Sequence, residues 1–117
     1  MIFYFYSYST PLILATNACS VRSVQLLLDY GNYEINACEK VLKRTALMLA
    51  CKKGCSDIVE LLLKIPDIDY NRGDISGMTA LHFACRKGDA RSVELLLKMP
   101  NINVNALAFY DYGAKSF

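Results

Sequence analysis

Few residues in this chain have the types and spacing that catalysis would need. Histidine occurs once, at His82, and the five cysteines stand at positions 19, 38, 51, 55 and 85. A structural zinc site needs four tetrahedral nitrogen or sulfur ligands, usually in paired spacings. The stretch "CKKGC" places three residues between Cys51 and Cys55, and no second pair completes it, so no metal is expected. The chain also lacks Gly-x-Gly-x-x-Gly, a phosphate loop ending in Gly-Lys-Ser/Thr, His-Glu-x-x-His and Gly-x-Ser-x-Gly. With one histidine and no cluster of carboxylates, the sequence predicts no enzyme, no catalytic residue and no cofactor. What remains is charge: Lys52-Lys53 and Arg86-Lys87 each stand directly before a glycine.

The bulk numbers bound the rest. A length of 117 residues is one domain's worth of chain, and 54% apolar with 21% charged residues describes a sequence that folds. The formal net charge of +2 is too slight to imply nucleic acid or membrane by itself. Aromatic residues gather at the two ends and do not interleave with lysines and arginines as base-stacking platforms would, which argues against nucleic acid. An odd and sparse set of cysteines is not the framework of a small secreted scaffold, so a reducing, intracellular (cytoplasmic) compartment is expected. The opening "MIFYFYSYSTPLILATNAC" lacks the basic start of a signal peptide. Pro11 interrupts its apolar run, Asn17 stands inside the apparent cleavage site before Cys19, and no stretch is long enough to span a membrane.

Self-similarity organises the chain. "TPLILATNACSVRSVQLLLDYGNYEINAC" begins at Thr10, "TALMLACKKGCSDIVELLLKIPDIDYNRG" at Thr45 and "TALHFACRKGDARSVELLLKMPNINVNAL" at Thr79, at intervals of 35 and 34 residues. The leucine triplets at 26–28, 61–63 and 95–97 and the asparagines Asn36, Asn71 and Asn105 keep the same intervals. Each threonine predicts a helix N-cap, and Pro11 fits the first helical turn, where no donor is needed. Gly54 and Gly88 predict the end of a first short helix. A second helix follows, with Ile58, Val59, Leu62 and Leu63, or Val93, Leu96 and Leu97, on one face, and Pro66 and Pro100 stop it. Helices this short are marginal alone, so the pairs must stack.

The segment "DISGMTALHFACRKGDARSVELLLKMPNINVNA" closely resembles the ankyrin repeat, and the resemblance extends over roughly residues 6–106. It implies an all-α solenoid of stacked helix-turn-helix units with short β-hairpin loops. The chain is then one domain, 1–117, with repeats at approximately 6–38, 39–73 and 74–106, and with 107–117 starting a fourth hairpin or a cap. Proline replaces the usual loop glycine in the second and third copies. One further residue lies among Glu39 to Arg44, where Lys43 holds the place of Gly77, so that tip should be irregular. Tyr6 to Ser9 would form the first tip, and Phe109, Tyr110 and Tyr112 would fold back over the last helices.

The resemblance also implies a concave face that binds a protein partner. Carried over by position, this face holds Val41, Leu42, Arg44, Lys52 and Lys53 from the second copy and Ile75, Ser76, Met78, Arg86 and Lys87 from the third. The first copy adds Tyr6, Ser7, Ser9, Asn17 and Ala18, and Lys40 and Lys43 lie beside the second tip. Acidic residues on that side reduce to Glu39 and Asp74, which suggests a basic groove for an acidic or phosphorylated segment, with Val41, Leu42, Ile75 and Met78 as apolar anchors. The same lysine pairs also complement the helix dipole and keep the face hydrated, so a spacer segment of a longer array, with no partner of its own, is the alternative. A protein partner is expected, with no small-molecule substrate, in a monomer or a longer chain. By the same resemblance His82 bridges to Thr79 and nearby backbone, Cys51 and Cys85 pack inside, and the three asparagines bond within their loops. Cys19 and Cys55 fall at the helix-to-helix turns, where either could be redox-sensitive.

Overall fold

The computed structural model describes residues 9–109. The expected first tip at Tyr6 and Ser7 and the segment from Tyr110 onward lie outside them. Among the described residues six helices follow in order: α1 (Pro11–Asn17), α2 (Val21–Tyr30), α3 (Ala46–Lys53), α4 (Ser56–Leu63), α5 (Ala80–Lys87) and α6 (Ala90–Leu97).

The predicted caps start the first helix of each pair. Thr10, Thr45 and Thr79 have extended backbones, and their hydroxyls accept hydrogen bonds from the amides of Ile13, Met48 and His82. Such a cap contributes about 1 kcal/mol to a helix that is marginal by itself. Gly54 and Gly88 close α3 and α5 in the left-handed region, at φ 73° and 77°. Cys19 takes the same place in the first copy at φ 53°, although its side chain disfavours that conformation. The second helices end at Leu63 and Leu97, three residues before the prolines expected to stop them.

Stability comes from stacking in two layers. Helix α3 packs between α1 and α5, and α4 lies between α2 and α6. The buried core runs through both layers: Leu12 and Val24, then Leu47, Met48, Ile58, Val59 and Leu62, then Phe83, Ala84 and Leu96.

The loops correct one expectation. No strand forms among the described residues; a single antiparallel bridge, Cys38 to Thr45, stands where hairpins were expected. The tips are held by acidic side chains, which engage amides that would otherwise extend a ladder. In the third copy Asp74 Oδ1 accepts from the amides of Ser76 (2.8 Å) and Met78 (3.0 Å). In the second, Glu39 Oε1 accepts from Leu42 (2.7 Å) and Arg44 (3.2 Å). The second tip is one residue longer, and its acid is one methylene longer. Lys43 adopts φ 62° where Gly77 adopts 78°, as their shared place requires.

The asparagines reach further than expected. Asn36 donates to the Asp67 carbonyl and accepts from the Asp69 amide, each at 2.7 Å, so it joins its own loop to the next. Asn71 does the same with the Asn101 carbonyl and the Asn103 amide, each at 2.8 Å. A side chain with one donor and one acceptor end thus ties successive repeats at a fixed spacing.

Candidate functional site

The predicted concave residues separate into an exposed set and a supporting set. Successive tips lie side by side: the Ile75 amide donates to the Leu42 carbonyl at 2.9 Å, and the Phe109 amide donates to Ser76 at 2.7 Å. Val41 and Ile75 are exposed at 56% and 61%, and Leu42 at 39%. Met78 is not a fingertip: it is buried, with its amide bonded to Asp74 and its side chain among the core residues. One position before a capping threonine, it points into the stack. Phe109 is 69% exposed, so its ring does not fold back over the helices.

Lys52, Lys53, Arg86 and Lys87 are exposed in the last turns of α3 and α5. Glycine matters between them. A Cβ at Gly54 would come within 3.1 Å of Lys87 Cε, so the bare backbone lets the Lys87 stem lie across the preceding turn. Arg44, by contrast, is half-buried and held. Its Nε lies 3.3 Å from Asp74 Oδ2, and its guanidinium sits 5.2 Å from the centre of the buried Phe83 ring. Arg86 approaches that ring at 5.7 Å, within cation–π range.

Both acids of this side are occupied. Glu39 and Asp74 bond backbone amides, and Asp74 also takes Arg44. Their charge is drawn under the tips while the paired cations stay outside. Asn17 and Ala18 hold the corresponding places in the first copy and are exposed without charge, while Ser9 and Ser76 are half-buried.

His82 is a capping residue. Its Nδ1 accepts from the Thr79 amide at 2.9 Å and lies 3.0 Å from the Thr79 hydroxyl, completing a reciprocal cap. It lines a cavity of about 400 Å³ with Leu81, Cys85 and Val104. Among the described residues no cluster of histidine, cysteine or carboxylate could hold a metal, and no helix is long and apolar enough to cross a membrane.

The cysteines divide by what is stacked beside them. Cys51 is fully buried, and burial first, then the charge of Asp89, pushes its thiol up to about 12. Cys85 was expected inside as well but is exposed, because no helix pair is described beyond α5 and α6 to cover it. Cys19 and Cys55 are joined as a disulfide with Cα atoms 6.0 Å apart. The sequence placed each at a turn but did not pair them. Their separation of 36 residues, one repeat plus one, was the available signal, since equivalent turns of adjacent copies are neighbours.

A second link was missed. Arg91 reaches from α6 to α4, bonding Ser56 Oγ at 3.1 Å, Asp57 Oδ1 at 2.7 Å and Glu60 Oε1 at 2.5 Å. The hydrogen bond it donates to Asp57 is the main cause that raises its pKa above the ordinary arginine value.

A family model described as ankyrin repeats (3 copies) matches residues 12–108. A Plasmodium falciparum (isolate 3D7) protein provisionally named an E3 ubiquitin-protein ligase is 36% identical over 73 residues, 62% of this chain. The chain spans only 1% of that protein's length.

Proposed function

This chain belongs to the ankyrin repeat family, and from that premise we propose that it is a single domain of three repeats, at approximately 6–38, 39–73 and 74–106, that binds an acidic or phosphorylated protein segment on its concave face. Ankyrin repeats are in general protein-interaction modules, and their fold is typically non-enzymatic. One observation carries the finer reading: exposed cations from successive copies line one side, while the two acids of that side are turned onto backbone amides. Val41, Leu42 and Ile75 offer apolar contact beside Lys52, Lys53, Arg86 and Lys87, and Met78 and Arg44 support the tips from below. A preformed surface binds without the entropy cost of ordering itself, and its charge steers an oppositely charged segment.

The test is titration of a labelled acidic peptide, with and without phosphoserine, against the chain and against Lys52→Glu combined with Lys87→Glu. The paired reversal should weaken binding at least about tenfold, roughly 1.4 kcal/mol, and flatten its salt dependence. Equal affinity for both chains would refute the groove. The spacer reading is favoured by the position of both basic pairs at helix C-termini, where they complement the dipole without a ligand. It predicts no binding of either peptide.

A further inference from the structure

We propose that Cys19 and Cys55 form a reversible cross-link between the first and second repeats, closed by exchange with a low-molecular-weight disulfide such as oxidised glutathione and reopened by the corresponding thiol. The inference is independent of the binding reading.

Position is the first argument. The Cα atoms are 6.0 Å apart, within the range a disulfide spans, so closing the bond needs no rearrangement of the stack. Residue type is the second, and it comes from the repeats themselves. Cys19 stands at φ 53° where the later copies place Gly54 and Gly88. Cys55 starts α4 with no side-chain cap, whereas Ser20 caps α2 by accepting from the Ser23 amide; Asp89, which also leaves the amides of α6 uncapped, at least accepts from the Ser92 hydroxyl. Cys19 is locally inferior to the glycines of the later copies and Cys55 to Ser20, and these two face each other. Access is the third. Cys19 is exposed and Cys55 half-buried, whereas Cys51, nearest in sequence, is sealed in the core as the neutral thiol.

The exchange balances. The Cys19 thiolate attacks one sulfur of the small disulfide and expels one thiolate; the Cys55 thiolate then attacks the Cys19 sulfur and expels the second. Two protein thiols are oxidised, one small disulfide is reduced to two thiols, and the two protons pass to the expelled thiolates. The closed loop limits the freedom of the first repeat when it opens.

The experiment equilibrates the full chain over graded ratios of reduced to oxidised glutathione, then maps alkylated and linked peptides and follows amide hydrogen exchange. Cys19 and Cys55 should leave the alkylatable pool together as one linked pair and return as reduced glutathione is raised. On closure, exchange in α1 and α2 should slow at least about tenfold while α5 and α6 are unchanged. Cys19→Gly, which suits the left-handed backbone, should fold and lose this response. Glutathione retained on Cys19 with Cys55 free, a pair that never reopens, or a link with no effect on exchange would each overturn the proposal.

Discussion

The junction between the first and second repeats and the junction between the second and third have the same backbone stacking but different fastenings. At the first, a disulfide ties Cys19 to Cys55 and Asn36 bridges the loops. At the second, Asn71 bridges the loops in the same way and the Ile75 amide bonds the Leu42 carbonyl, but the fastenings that replace the disulfide are ion pairs: Arg44 to Asp74 under the tips and Arg91 to Asp57 and Glu60 on the helices. The shared element is the asparagine, whose two-ended amide sets the repeat spacing. The variable elements decide how each junction answers to its surroundings: the first to redox conditions, the second to acid and salt.

Breaking the covalent fastening should have the largest effect. A closed loop of 36 residues restricts the unfolded chain by up to about 4 kcal/mol, so Cys55→Ser should lower the stability of the oxidised protein by about 3 kcal/mol in urea unfolding, because serine partly restores the missing cap. Reductant should reverse the difference, leaving the serine variant ahead by up to about 1 kcal/mol from its restored cap. Next comes Asp74→Ala, which removes two amide bonds and the partner of a half-buried arginine; a loss of about 3 kcal/mol is expected by the same measurement. Glu39→Ala, at the less buried second tip, should cost less.

A pH series sharpens the contrast with the core. Cys51 titrates at about 12 when folded against an ordinary 9.0, so burial favours the neutral thiol. Its contribution is complete below pH 9 and is lost as the pH rises from 9 towards 12, since only the unfolded chain ionises there. Between pH 8 and 10 the native chain should lose about 1 kcal/mol relative to Cys51→Ala, measured by urea unfolding at each pH. The smallest effect belongs to Arg91→Met, whose pairs are solvent-exposed. Its melting temperature should fall slightly in dilute buffer and match the parent in molar salt.

The helices were legible because each signal is local. A threonine, an apolar stripe and a glycine specify start, face and end within a few residues, and Thr45, Gly54 and Leu62 do what their types predict. The tips were less legible: the extra residue near Lys43 was visible, but the exchange of strand pairing for acid-to-amide bonds depends on the reach of Glu39 and Asp74. Met78 and Cys85 were misplaced for a common reason. Whether a repeat position is covered depends on its neighbour across the stack, which periodicity within one copy does not report. The same blindness hid the Cys19–Cys55 pair and the Arg91 link, since both join adjacent copies.

The proposed concave interface is tested most directly by residue-resolved amide NMR of the full chain titrated with a phosphorylated acidic peptide. Shifts should gather at the tips around 41–44 and 75–76 and at the helix ends around 52–54 and 86–88, with α2, α4 and α6 silent. Shifts confined to those three outer helices, or none at saturating peptide, would contradict it.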